Sequence, residues 1–175
     1  MKKINTKNIT ACAVIAAVYI VLSLAFAPIS FGAVQFRVSE ALTLLPVFSP
    51  YTIIGVTLGC LITNIAGVSL GVTMPPDILF GTFATFTSAC LSYRLRRVCI
   101  KGLPVFSALA PVVINAVVIG WEITALFVAG ESPVGFWAMA ISVGAGEAVA
   151  CLGLGLPLVY TLKKTRLDVK LFGED

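Results

Sequence analysis

Residues 34–48 read Val34-Gln35-Phe36-Arg37-Val38-Ser39-Glu40-Ala41-Leu42-Thr43-Leu44-Leu45-Pro46-Val47-Phe48, and whether this stretch crosses a membrane decides the fold. Its apolar end, Glu40 to Phe48, is too short to cross alone, because a spanning helix needs about 20 apolar residues. The stretches around it are long enough. Residues 8–27 precede it. Residues 51–70, 77–97, 104–128 and 134–162 follow, punctuated by Pro50, by Gly71 through Pro76, by Pro104 and by Gly130-Glu131-Ser132-Pro133. Five clear spans therefore flank one doubtful one.

The basic residues resolve the doubt. They fall in three clusters, Lys2, Lys3 and Lys7, then Arg94, Arg96, Arg97 and Lys101, then Lys163, Lys164, Arg166 and Lys170, with Arg37 standing apart. Clusters of lysine and arginine beside apolar stretches mark cytoplasmic loops. If the first two share that side, the chain must cross an even number of times between them. Residues 8–27, 51–70 and 77–97 supply three crossings, so the stretch at about 34–48 must supply a fourth, short one. The last two spans go out and return. The expected fold is all-α and integral to the membrane: six transmembrane helices, a short second one, both termini cytoplasmic, and a single domain over residues 1–175. A short or broken span is tolerated only where protein or a cavity shields its backbone, and such spans often line a transporter's binding site.

Composition agrees with a chain solvated by lipid. Apolar residues make up 59% and charged residues 11%, against roughly 45–50% and 25% in soluble domains. The net charge of +4 is confined to helix ends, so no nucleic-acid partner is expected. Residues 8–27 imitate a secretory signal that ends in Ala25-Phe26-Ala27, but 20 residues exceed the usual core of about 7–15. Pro28 also follows the would-be cut, so this segment is read as the first span. The five cysteines (Cys12, Cys60, Cys90, Cys99 and Cys151) lack paired spacing and read as small packing residues. Histidine is absent, which removes the commonest general base and zinc ligand.

Two sets of small residues sit at helix-packing spacing: Ala13 with Ala17, and Ala140, Gly144 and Ala148. In lipid such stripes let two backbones approach closely. The second reads as internal packing, while the first suits either an internal contact or an outside partner.

Polar residues in the spans carry the functional reading. Glu40 and Asp77 open helices on the outer side, and Glu131 lies in an outer turn. Glu122 is 18 residues past Pro104, and Glu147 is 14 past Pro133. At about 1.5 Å per residue they lie roughly 27 Å above the inner face and roughly 21 Å below the outer one. A carboxyl at such depth is a functional-site hypothesis by default. Asn115 shares a helical face with Glu122, Asn64 falls in the outer half of its span, and Arg37 precedes Glu40 by three. Plainer roles stand beside these: a helix cap for Asp77, an i, i+3 pair for Arg37 and Glu40, an interhelical bond for Asn64, a solvated turn for Glu131, and buried interhelical bonds for Glu122 and Glu147. Together they describe an outward, acceptor-rich pocket above inner halves made of Val, Leu, Ile, Ala and Phe. Carboxylates and amides suit a ligand with amine, amidine or aminopyrimidinone donors. Trp121, Phe36, Trp137 and Phe136 are candidates to stack on a flat ring or to anchor at the lipid interface.

The run Gln35-Phe36-Arg37-Val38-Ser39-Glu40-Ala41-Leu42 with Leu45-Pro46, then Asn115 to Glu122, then Gly144-Ala145-Gly146-Glu147, resembles the QueT family over about residues 8–162. Those proteins are similar to the substrate-binding (S) components of energy-coupling factor transporters and are associated with uptake of queuosine precursors. The resemblance implies six helices, an outward site, docking of a transmembrane coupling subunit on Ala13 and Ala17, and two ATPases on separate chains. It also implies a deazaguanine-like ligand such as 7-aminomethyl-7-deazaguanine or queuine. No G-x-x-x-x-G-K-[ST] phosphate loop occurs in the chain, so ATP would be used by the partner subunits, and no cofactor is expected here. The competing reading is a stand-alone proton-coupled transporter of small organic cations, with Glu147 or Glu122 carrying the proton. An intramembrane enzyme is disfavoured, since without histidine a Cys or Ser nucleophile lacks its usual partner.

Overall fold

The computed structural model describes residues 6–30, 36–127 and 133–173. They are helical, with no β-strand beyond the single bridge Ile100–Leu103. In chain order the helices are α1 (Thr6–Ala25), the one-turn α2 (Ala27–Ser30), a 3₁₀ helix (Val38–Val47), α3 (Thr52–Ser69), α4 (Asp77–Leu95), α5 (Val105–Phe127) and α6 (Pro133–Ala148). A π segment (Val149–Gly155), α7 (Leu156–Lys164) and α8 (Leu167–Phe172) complete them. Among the described residues four stretches are long and apolar enough to cross a bilayer: Thr6–Ala25, Thr52–Ser69, Val105–Leu126 and Val134–Lys164. α4 is as long but less apolar. Its Thr85, Ser88 and Ser92 are buried while Leu79, Phe83 and Phe86 are exposed, so this helix keeps its hydroxyls inward and its apolar face outward.

The short stretch around Glu40 forms the centre of the bundle. At about 2.0 Å per residue, a ten-residue 3₁₀ helix is roughly 20 Å long. Its residues Ser39 through Pro46 are all buried, which is the condition for irregular backbone at membrane depth. Leu42 and Leu45 pack with Ile15, Tyr19, Val56 and Cys60 on one side, and Leu44 packs with Ala108, Cys151 and Val159 on the other. One end of this helix lies by Gly81 of α4, where an added Cβ would come 4.0 Å from the Arg37 guanidinium. At the other end the Phe48 ring stacks on Phe172 at 5.7 Å, with the planes 3° apart.

That second end gathers the basic clusters. Lys7 Nζ donates to the Gly173 carbonyl at 3.3 Å, and Lys163 Nζ to the Gly102 carbonyl at 3.2 Å. The residues beyond 163 do not simply trail away. Arg166 takes a left-handed turn (φ 54°), and α8 folds back to α1.

Two expectations need correction. Residues 134–162 are not one regular helix, because the backbone widens into the π segment just before Pro157. Proline lacks an N–H and its ring crowds the carbonyl four residues back, so the regular ladder cannot run through Gly153, and the widened turn absorbs the mismatch. The inner halves are also less uniformly apolar than the sequence reading held. Ser88, Ser92 and Ser107 are buried there. Ser92 and Ser107 each donate a hydroxyl to the other's backbone carbonyl at 2.8 Å, so these two fasten α4 to α5 instead of extending the outer pocket.

Close helix approach sets the rotation of the outer helices. A Cβ on Gly59 would sit 2.7 Å from Tyr19 Cβ, and one on Gly120 would sit 2.8 Å from Ala140 Cα. The Ala140 and Gly144 stripe is therefore internal packing against α5, as expected. Ala13 and Ala17 remain exposed, with Val14, Val18 and Val21 beside them.

Candidate functional site

Six elements converge on one buried polar cluster near the end away from the basic residues. Arg37, Glu40, Gly81, Thr85, Asn115, Ile119 and Glu147 enclose a cavity of about 10 Å³, the room that a single water needs. Glu40 is 1% exposed, and its carboxylate accepts from the Tyr19 hydroxyl of α1 and, at 3.3 Å, from the Thr85 hydroxyl of α4. Its Oε2 is buried without a partner. Below it, the Glu40 carbonyl accepts from Thr43 Oγ1 at 2.6 Å and from Cys151 Sγ at 3.5 Å. Cys151, in the π segment, lies 3.7 Å from a Glu147 oxygen. The two irregular segments thus meet at the two central carboxyls, and π turns inside helices are frequent at functional sites.

A second layer lies farther outward, on α3, α4 and α5. Asn64, fully buried, donates to the Asp77 carbonyl at 2.8 Å and to Cys60 Sγ at 3.5 Å, while its Oδ1 has no donor. A Cβ on Gly81 would meet the Asn64 amide at 2.8 Å, so glycine is what lets α3 and α4 approach here. Asp77 accepts from the Thr73 hydroxyl and the Met74 N–H, which makes its side chain a clasp on the turn before α4. Glu122 is 1% exposed, neither of its oxygens accepts from a donor of another kind of residue, and its carboxyl interacts with that of Asp77. The Arg37 guanidinium acts on Glu40, Asp77, Glu122 and Glu147 alike. Among the described residues, four carboxyls and one guanidinium lie within these two buried layers. A low-dielectric site with that imbalance favours a cationic guest or proton uptake, since unpaired buried charge is expensive.

Of the expected site residues, Arg37, Glu40, Asn115 and Glu147 line the cavity, and Asn64, Asp77 and Glu122 form the layer above it. The Glu40 carboxyl takes hydroxyls from Tyr19 and Thr85, beyond the simple i, i+3 arrangement with Arg37. Trp121 does not join them: it is 50% exposed and packs edge-on against Phe80 at 5.5 Å. Phe136 and Trp137 pair with each other, ring centres 5.1 Å apart, and Trp137 is exposed. Phe36 is half-buried. Glu131 lies outside the described residues. The sequence reading missed Tyr19, Thr85, Cys60 and Cys151. A tyrosine within an apolar span carries a hydroxyl that hydrocarbon cannot satisfy, and that signal was available at Tyr19.

Buried carboxyls and amides inside a lipid-facing helical bundle, with four stretches able to span a bilayer, are the architecture of a multi-pass membrane protein. The chain belongs to the QueT transporter family, whose model matches residues 9–164. It is similar to the queuosine precursor transporter QueT of Lactococcus lactis subsp. cremoris (strain MG1363), 44% identical over 97 residues, 54% of each chain. The match thus spans about half the length of that relative. No solved structure matches the chain.

Proposed function

We propose that this chain is the substrate-capture subunit of an energy-coupling factor importer and that it binds a queuosine precursor, a 7-deazaguanine such as 7-aminomethyl-7-deazaguanine or queuine. The observation that carries the reading is the enclosed cluster of Glu40, Glu147, Glu122 and Asp77 around Arg37. Carboxylates accept from the ring N–H and exocyclic amine of an aminopyrimidinone edge, while Arg37 and the Asn115 amide have donors for its carbonyl. The name of the lactococcal relative supports the ligand class.

In this reading the chain crosses the bilayer six times, the 3₁₀ helix being the short second span. The basic end is cytoplasmic and the acidic cluster opens outward. A cavity of about 10 Å³ cannot hold a fused two-ring base, so capture requires the 3₁₀ helix and its neighbours to part and then close around the ligand. Asn64 holds the mouth of the site through the Asp77 carbonyl. Delivery passes to a separate coupling subunit seated on Ala13 and Ala17, with two ATPases supplying the energy. The exposed face of α1 around these alanines fits such a partner, because small side chains allow close backbone approach.

The test is reconstitution. The chain alone should bind a deazaguanine without accumulating it in vesicles or cells, and adding a coupling subunit with two ATPases should confer uptake. Ala13→Leu with Ala17→Leu should abolish uptake and leave binding intact. ATP-independent accumulation by the lone chain would instead favour a proton-coupled carrier that uses Glu147 or Glu122.

A further inference from the structure

The two layers of the cluster differ in what they lack, and that difference assigns them different parts of a ligand. In the inner layer donors are already at hand: Tyr19 and Thr85 hold one oxygen of Glu40, and the Asn115 amide stands beside Glu147. In the outer layer Glu122 faces Asp77 across the gap between α5 and α4. Asp77 is held by Thr73 and the Met74 N–H, both from its own turn. Glu122 is 1% exposed and accepts from no donor of another kind of residue. A third acceptor, Asn64 Oδ1, is also buried without a partner beside the Asp77 backbone. Two carboxyls facing each other with no other residue's donor between them share a proton or take up a cation that bears several N–H groups. A primary ammonium carries three.

Resting on the function proposed above, we propose that Glu122 and Asp77 form an ammonium subsite that selects ligands by a charged amine on the ring's side arm, while Glu40, Glu147 and Asn115 read the ring edge. Register along the helices supports the division. Asn115, Ile119 and Glu122 share one face of α5, and seven residues place Glu122 about 10 Å outward of Asn115. Asp77 lies four residues, or about 6 Å, outward of Gly81 on α4. Ile119 between the layers offers an apolar wall to the ring itself. A base lying with its pyrimidinone edge inward would then present a one-carbon aminomethyl arm to Glu122 and Asp77. The Arg37 guanidinium acts on both layers and limits the accumulated negative charge before the ligand arrives.

The experiment measures affinity of the purified full chain, parent and Glu122→Gln, for three probes: 7-aminomethyl-7-deazaguanine, 7-cyano-7-deazaguanine and 7-deazaguanine. Ligand-free melting of both proteins is recorded alongside. The parent should favour the amine, and Glu122→Gln should weaken that ligand by roughly ten- to a hundredfold, the worth of a charge-assisted hydrogen bond. Affinity for the two neutral probes should stay at the parent's level. Asp77→Asn should show the same selective loss, and it carries the test if Glu122→Gln does not fold. Equal weakening of all three probes, or no change in any, overturns the subsite. So does a parent that binds the neutral bases but not the amine, although the deazaguanine reading then survives. A parent that binds none of the three removes both.

Discussion

Substitution of Glu147 by glutamine separates a ligand-binding carboxyl from a structural one. In the ligand-free protein Glu147 has modest partners: a Cys151 thiol at 3.7 Å and the neighbouring Asn115 amide. A thiol is a weak donor, and glutamine keeps an acceptor oxygen and nearly the same shape. Ligand-free stability should therefore change by less than about 1 kcal/mol, a melting shift within about 4 °C for a chain of this size. Against a ligand's N–H edge the carboxylate makes a charge-assisted bond worth about 1.5–3 kcal/mol. Its loss corresponds to roughly ten- to more than a hundredfold in dissociation constant. Calorimetric titration and thermal melting on one preparation provide both quantities. The opposite pattern, a large melting loss with unchanged affinity in the surviving protein, would refute the reasoning and make Glu147 a purely structural acid.

Three further outcomes follow from the packing and the charge distribution. Tyr19→Phe keeps the ring but removes the hydroxyl from Glu40, and should destabilise the protein by about 1.5–3 kcal/mol; an unchanged melting curve would mean that Thr85 alone holds that carboxyl. Gly120→Ala drives a methyl to 2.8 Å from the Ala140 backbone and should cost about 1–3 kcal/mol in thermal unfolding. Gly153→Ala, whose Cβ would meet nothing closer than 3.9 Å, is the control. For topology, Lys164→Cys in a background without the five native cysteines should resist an impermeant thiol reagent in intact cells, whereas Met74→Cys should react. Labelling at position 164 would reverse the assigned orientation.

Membrane class, the positions of the long apolar stretches and a short apolar element near Glu40 were legible in the amino-acid sequence. Lipid imposes nearly one-dimensional criteria, in that span length, apolarity and the placement of lysine and arginine can be scanned without knowing a single contact. The same scan found the acidic residues, since charge is rare at such depth. Which of these residues meet depended on the rotation of each helix about its axis, and only tertiary packing decides that. Gly59 admits Tyr19 closely enough to present its hydroxyl to Glu40, 21 positions away in the chain. Gly120 draws α6 against α5, and the widened turn ahead of Pro157 carries Cys151 to the Glu40 carbonyl, 111 positions away. Trp121 and Glu122 are neighbours in sequence, yet one is half exposed and the other buried. Successive helical residues point about 100° apart, so the packing of backbones alone determines which of the two enters the site.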